Sequence, residues 1–415
     1  MEQSLRHELL DIYYPKSLDT LYGGFLSTFT YDFKPTGNQL KMIVTQSRHT
    51  WTNAKAALRY PEKLYYRLDA IAGFHFLADK MWDKQYGGFF TLVTRGGEIP
   101  PGNKANKEAY GNAFGIYALV AVYQLTHDSS ALALAKKAFY WLEDHSHDSL
   151  HKGYFQHLER NGTPIRRTIH TPAVAETGYK DQNSSIHLLE ALTELYSVWK
   201  DSLVRERLHE MLFLIRDVII TPRGNLTLFL QWDFTPVSIQ DSSRDYILHH
   251  HNLDYVSFGH DVETAYLMLE ASEALGIKND SVTLMTGKKL VDHALKNGWD
   301  NAVGGFYDEG FYFKGDTVIT ILKDSKNWWA QAEGLNSLLL MSEYFPDDPH
   351  RYFEKFKTLW TYTQTYLIDH QYGDWYDEGL DKSPGHRTAL KAQIWKATYH
   401  NYRSLSNCIE RLNNY

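Results

Sequence analysis

A single cysteine, Cys408, stands in a chain of 415 residues, so no internal disulfide can staple the fold. It falls in an apolar-periodic C-terminal segment and reads as a small buried hydrophobe. Runs of Lys or Arg are absent and the formal charge is -7, which argues against nucleic acid and anionic membrane surfaces as partners. No apolar stretch approaches the roughly 20 residues needed to cross a bilayer. The opening segment Met1-Glu2-Gln3-Ser4-Leu5-Arg6-His7-Glu8 lacks the basic start and apolar centre of a signal peptide. A soluble cytoplasmic protein, a monomer or weak homodimer, is expected. There is no linker rich in Pro, Ser or Gly and no break in composition, so residues 1–415 read as one domain. His-Glu-x-x-His and Cys/His ligand spacings are also missing. The run His249-His250-His251 would point its side chains in different directions on any regular backbone, so no metal is expected.

Aromatic residues, by contrast, are abundant. The 29 Tyr, 20 Phe and 11 Trp supply flat faces that fill a core and also stack on the C–H surfaces of sugar rings. A glycine-centred turn recurs six times, at Tyr22-Gly23-Gly24-Phe25, Tyr86-Gly87-Gly88-Phe89, Gly153-Tyr154-Phe155, Gly224-Asn225-Leu226, Gly304-Gly305-Phe306-Tyr307 and Tyr372-Gly373-Asp374-Trp375. Successive turns lie about 64 to 81 residues apart, room for two helices and their loops, so six repeats predict twelve helices. Paired as hairpins, these close into an all-α (α/α)6 barrel with short β-hairpin turns and a central pit.

Helical periodicity predicts apolar inner helices over 41–58, 107–125, 183–200, 260–276, 328–345 and 388–412. More charged outer helices are predicted over 62–81, 129–145, 203–219, 281–297 and 349–367. The early turns of the inner segments carry a recurring polar and aromatic set. It comprises Gln46 and Arg48, then Tyr110 and Asn112, then Gln182, Asn183 and His187. The last three repeats add His260, Asp261 and Glu263, then Trp329, Gln331 and Glu333, then Trp395, His400 and Asn401. Parallel inner helices would gather equivalent ends round one mouth, where these side chains converge.

His260 and Glu263 are three residues apart and share a helix face, so Glu263 is placed to accept a hydrogen bond from the imidazole. Imidazoles suit proton removal next to a carbonyl, and Arg48, set in an apolar segment, suits a developing oxyanion. The long connection from Thr221 to Ser257 reads as a loop beside the mouth. Asp308-Glu309 and Asp377-Glu378 are formal candidates for a glycosidase pair, but their repetition after an aromatic turn favours carboxylates that hold loop backbone.

At Ser47-Arg48 to Trp51, Tyr110-Gly111-x-Ala113-Phe114, Asn183 to His187 leading into Leu188-x-Glu190-Ala191, Gly259-His260-Asp261-x-Glu263, Trp328-Trp329-x-Gln331-Ala332-Glu333 and Trp395-Lys396-x-x-Tyr399-His400-Asn401, the chain resembles the N-acylglucosamine 2-epimerase superfamily. The similarity extends over essentially the whole chain and is strongest to the cellobiose and mannose 2-epimerase branch. It implies an (α/α)6 barrel and cofactor-free epimerisation at C2 of a reducing aldose. By the same resemblance His260 and His400 are the acid/base pair, and His187 and Arg48 hold O1 and O2 and stabilise the enediolate. Trp329 and Trp395 resemble sugar-stacking residues. Tyr110, Asn183, Glu263 and Glu333 resemble polar groups that contact the sugar or support those that do.

Two departures from that pattern bear on the substrate. Ser185 stands where cellobiose epimerases commonly carry the first histidine of a His-x-His pair, and the connection from Gln240 to Ser257 is longer than in the disaccharide enzymes. Free mannose and glucose are therefore the expected substrates. A cellobiose 2-epimerase, an aldose–ketose isomerase, a glycoside hydrolase and a non-catalytic sugar-binding protein are the alternatives.

Overall fold

The computed structural model describes residues 1–414. Thirteen α-helices run along it. Six form an inner ring: α2 (Ile43–Arg59), α4 (Ala109–Thr126), α6 (Gln182–Val198), α9 (Phe258–Leu275), α11 (Trp328–Tyr344) and α13 (Tyr399–Asn413). Each packs on the next, and α13 returns to α2 to close the circle. Outside them lie α1 (Asp11–Ser17), α3 (Leu64–Phe76), α5 (Ser129–His145), α7 (Ser202–Leu214), α10 (Ser281–Asn297) and α12 (Tyr352–Tyr362). The short α8 (Arg244–His250) belongs to the connection between the fourth turn and α9. The barrel expected from the repeats is present.

The two rings differ because their sequences do. From Ala109 to Val122 every residue of α4 is buried, as an inner helix covered on all sides requires, whereas α5 buries only one stripe, including Ala131, Ala135, Ala138 and Leu142. Side chains close several helix starts. Asp128, Asp181, Asp201, Asp280 and Asn327 each accept from a backbone N–H of the first turn.

Every repeat is built on its glycine turn. Gly87 and Gly88 sit at φ 69°, in the left-handed region, and a Cβ on Gly88 would lie 2.7 Å from the Trp141 indole. A buried lysine two residues before the inner helix reaches back to an aspartate that opens the turn. The pairs are Lys41–Asp19 at 2.9 Å, Lys107–Asp83 at 3.0 Å, Lys180–Asp148 at 2.8 Å and Lys326–Asp300 at 2.8 Å. Lys391–Asp369 at 2.5 Å makes the corresponding bond in the last repeat. The ammonium groups of Lys41 and Lys326 also donate to the turn carbonyls of Gly23 and Gly304. A side chain one turn into the inner helix completes the clamp. Gln46, Asn112 and Gln331 accept from the backbone N–H groups of Phe25, Phe89 and Phe306 at 2.7–2.9 Å.

The fourth repeat has Thr221 and Val256 in place of the aspartate and lysine. Asp261 holds its turn instead, accepting from the Leu226 N–H at 3.0 Å and lying 3.2 Å from Nδ1 of His293.

Three expectations need correction. The sixth inner helix begins at Tyr399, not near residue 388. The stretch before it holds a 3₁₀ turn at Pro384–Thr388 and then irregular chain, so Trp395 and Lys396 stand on a loop. The sixth outer helix is α1 with the π-helical turn that leads into it, residues 4–17, which the periodicity left unassigned. The connection after the fourth turn carries its own structure, a two-residue strand at Phe229–Leu230 and α8, with Ile247 packed among Phe311 and Phe313.

Candidate active site

The first turns of the six inner helices meet at one mouth, and contacts run from each to the next. Arg48 on α2 donates from Nη2 to the Tyr110 hydroxyl of α4 at 3.1 Å. The Tyr110 ring lies 5.3 Å from the His187 ring of α6. Gln182, at the start of α6, places its Nε2 3.0 Å from Nδ1 of His260 on α9. The His260 ring lies 4.6 Å from the Trp329 indole of α11, which in turn lies 5.7 Å from His400 of α13. Arg48 closes the circuit by donating to the Trp395 carbonyl at 3.2 Å. Asn183 adds a hydrogen bond to the Tyr110 hydroxyl. Residues drawn from all six repeats, some 350 positions apart in the chain, thus surround one place.

Depth sorts these groups. Arg48, His187 and His400 are at most 5% exposed, while Trp395 is 48% exposed at the rim. Asn183, His260 and Trp329 are half-buried between them. The Arg48 guanidinium stacks 4.6 Å from the Phe114 ring and 5.0 Å from Tyr399, which fixes its plane.

Beneath the imidazoles lies an ionic layer that the sequence reading did not anticipate. Its centre is Arg403, one turn after His400 on α13. From Nη2 it donates to Glu263 at 2.5 Å and to Glu333 at 2.7 Å, and from Nη1 to Glu190 and the Tyr399 hydroxyl. Glu190 also accepts from Tyr399 at 2.5 Å and lies 2.9 Å from Nδ1 of His187. Glu333 lies 2.5 Å from Nδ1 of His400 and accepts from Tyr266 at 2.6 Å. Two catalytic candidates therefore rest on carboxylates that one guanidinium gathers. The signal for Arg403 was its i+3 spacing from His400, which puts both side chains on one helix face.

The pairing expected between His260 and Glu263 is not formed. Nδ1 of His260 faces Ser257 Oγ at 2.8 Å as well as Gln182, and Glu263 turns away to Arg403. Helix direction explains it: the Glu263 side chain lies deeper along the barrel axis, where it meets α11 and α13. Glu263 and Glu333 are fully buried, so they support the imidazoles rather than reach the mouth. Trp395 comes from the loop before α13, not from the helix face expected of it.

Burial sets the protonation states. It pushes His260 down to about 3. It also lowers His400, helped by Arg48 and Arg403, and lowers His187. All three imidazoles therefore stand neutral at neutral pH and able to accept a proton. Burial works to raise Glu190, but Arg403 and His187 overcome it and hold that carboxylate at about 2. Glu263 is raised, by burial first and then by the charge of Glu333. The donor atoms of Glu263, Glu333 and His400 fall within 4.8 Å of one another, close enough to suggest a metal cage. The Arg403 guanidinium already lies against both carboxylates there, and a second cation would meet its charge.

The other acidic and histidine-rich features serve the loops. Asp308 accepts from Asn327 Nδ2 at 2.5 Å, and Glu378 from Ser383 at 2.5 Å. His249 turns to the Asp245 carbonyl, His250 packs at a tilt against Tyr246 and His251 reaches Glu309, so the three rings diverge. Cys408 is free and buried, and burial pushes its thiol up to about 12. Among the described residues no helix is long and apolar enough to cross a membrane.

Known proteins share this architecture along its whole length. The cellobiose 2-epimerase of Bacteroides fragilis is 27% identical over 413 residues, covering 99% of this chain and 97% of the relative. The D-mannose isomerase of Marinomonas mediterranea is 24% identical, covering 96% and 93%. The solved cellobiose 2-epimerase of Spirochaeta thermophila superposes with a TM-score of 0.83 at 27% identity, over all of this chain and 96% of that one. The sequence pattern of the family described as N-acylglucosamine 2-epimerase matches residues 23–404, which take in all six inner-helix starts. With the barrel, the three imidazoles and this match together, the chain belongs to the N-acylglucosamine 2-epimerase family and is an enzyme acting on carbohydrates.

Proposed function

We propose that the enzyme interconverts D-mannose and D-glucose by moving the C2 proton, with no cofactor. The observation that carries this reading is the Trp329 indole, which contacts two imidazoles, His260 at 4.6 Å and His400 at 5.7 Å. Each uses Nδ1 to hold its place, through Ser257 and Gln182 or through Glu333, and keeps Nε2 for a substrate. A sugar lying on the indole would present its C2 to both.

The steps follow from those groups. The hemiacetal opens, because a C2–H bond acidifies only next to a free aldehyde. One neutral histidine takes the C2 proton, and the electron pair left behind moves to O1 to give a cis-enediolate. Arg48 stabilises that oxyanion from a plane fixed by Tyr110 and the Trp395 carbonyl, while His187, whose Nδ1–H is held by the Glu190 carboxylate, accepts a hydrogen bond from the O2 hydroxyl through Nε2. Rotation about C2–C3 then turns the other face forward. The negative enediolate draws a proton from water onto the second histidine, which passes it to C2, and loss of the first histidine's proton to water resets the pair.

The connection that carries α8 supports a monosaccharide, since it adds chain between the fourth turn and α9. Ser185 does so as well, because its hydroxyl is turned to the Asp181 carbonyl at 2.7 Å and leaves the mouth without a further imidazole. A second reading is a cellobiose 2-epimerase. Trp395, 48% exposed at the rim, offers a face on which the outer sugar of a disaccharide could stack.

Incubation with mannose, glucose, cellobiose and mannobiose in D₂O, followed by chromatography and NMR of the products, tests the reading. Glucose and mannose should interconvert with deuterium at C2, and His260→Ala or His400→Ala should each lower the rate by about 10²–10⁴-fold. Reaction of disaccharides alone would select the second reading. Fructose as the main product would make the enzyme an aldose–ketose isomerase, as the D-mannose isomerase relatives are named.

A further inference from the structure

The barrel has a second hollow. The C-terminal halves of the inner helices enclose a cavity of about 630 Å³ at the end of the axis opposite the mouth, with Arg403 among its lining residues. The ionic layer round Arg403 thus separates two spaces, the catalytic pit and this far cavity.

Several of its polar groups satisfy one another. On one side Lys55 donates to Gln124 at 2.8 Å and lies 3.5 Å from Glu194, and Gln124 donates to Glu194 at 3.1 Å. On the other, Arg59 donates to Ser406 at 3.3 Å and to Glu410 at 3.2 Å. Glu270 of α9 takes no part in these pairs. It lines the cavity, is open to solvent through it, and makes no hydrogen bond or ion pair. A carboxylate with no protein donor therefore faces the space inside the recess.

The rest of the lining narrows what that donor is. Lys55, Arg59 and Arg403 balance Glu194, Glu270 and Glu410, so neither a cation nor an anion is favoured overall. Trp51 and Tyr117, stacked at 5.2 Å and nearly parallel at 15°, give one wall an apolar face. Amide and hydroxyl groups of Gln124, Asn407, Thr193 and Ser197 are spread round the remainder. A neutral molecule with several hydroxyls and an apolar C–H face matches this set. The volume exceeds that of one hexose.

We propose that the far cavity is a second binding site for a neutral polyhydroxylated small molecule, a monosaccharide or its alditol, with Glu270 accepting one of its hydroxyls. Because Arg403 lies between the two hollows, a ligand there presses on the group that gathers Glu190, Glu263 and Glu333. The site rests on the sugar chemistry proposed above for its choice of ligand, and on the cavity alone for its existence.

D-mannitol is the probe, in crystals of the full chain and in calorimetry. The expected result is density in both the pit and the far cavity, with two binding events per chain. Glu270→Leu should weaken the far-cavity event by about tenfold or more, the scale of a lost hydrogen bond to a charged acceptor. It should leave the pit event within about twofold. Glu270→Gln, which keeps a carbonyl acceptor, should retain most of the binding and guards against a mere packing effect. Density in the pit alone, or two events that Glu270→Leu does not separate, overturns the second site and leaves the epimerase reading standing. Density in the far cavity alone supports the second site and counts against the pit as the place of sugar binding. Density in neither overturns both.

Discussion

Nδ1 of His400 lies 2.5 Å from Oε1 of Glu333, a contact made wholly below the mouth of the barrel. The carboxylate fixes which nitrogen faces the substrate and in which plane the ring lies. Glu333 is itself held by Tyr266 and Arg403, so the carboxylate cannot follow the ring if it turns. The expected consequence is that Glu333→Gln lowers kcat by about 10–100-fold, a positioning loss smaller than removal of the base itself. KM should change little, because Glu333 is fully buried and does not meet the sugar. A variant with unaltered kcat would remove Glu333 from any catalytic account.

Arg403 is the next test, because four groups depend on it. Removing one partner of a buried ion pair leaves the others charged and unsolvated, so Arg403→Met should cost about 3–5 kcal/mol of stability. Arg403→Lys should not rescue it fully. An ammonium cannot hold Glu190 from one nitrogen and Glu263 with Glu333 from another in a fixed plane. Urea unfolding of both variants measures this, and a lysine variant as stable as the parent would show that charge alone matters.

How much of this was legible beforehand follows from which signals are periodic. The six turns and the alternation of apolar and charged helices depend on spacing, which the chain displays directly, and the barrel could be drawn from them. The positions of Arg48, His187, His260 and His400 followed from counting forward from each turn. Direction into or out of the pit did not follow. Gln46, Asn112 and Gln331 sit one turn into their helices like the site residues, yet they bend back to hold the glycine turns. Glu263 shares a helix face with His260 but meets Arg403, a partner 140 residues away that only the closed ring supplies. Helix spacing fixes which side chains share a face, while the neighbouring helix decides what they touch.

The lysine–aspartate clamps lead to a prediction about stability alone. Lys326 pairs with both Asp300 and Asp381 at 2.8 Å and donates to the Gly304 carbonyl, and its own side chain is out of contact with solvent. Lys326→Met strands two carboxylates and should cost about 3–5 kcal/mol. Introducing the same pair into the fourth repeat, as Thr221→Asp with Val256→Lys, should not restore the loss. There Asp261 already bonds the turn N–H, and a new aspartate would add like charge beside it. Thermal unfolding of the single and triple variants distinguishes these outcomes.

Acid should weaken the fold in a window set by imidazoles that are buried neutral. His49 is fully buried against Phe25 at 4.9 Å and Tyr13 at 5.4 Å, and burial pushes it down to about 3. Above the unfolded value of about 6.5 the ring is neutral in both states and contributes no pH dependence. As pH falls from there towards 3, only the unfolded chain takes up the proton, so stability declines by about 1.4 kcal/mol per unit for this group. Below 3 both states are protonated and the slope ends. His157, lowered by burial to about 4, and His260, to about 3, add to the same decline. Replacing His49 with Leu deletes one such group without adding another. Between pH 6.5 and pH 5 the parent should therefore lose about 2 kcal/mol more than His49→Leu in urea titrations. Equal losses over that interval would mean that the imidazole takes up its proton in the folded state, and that the interior round Tyr13 and Phe25 admits a charge.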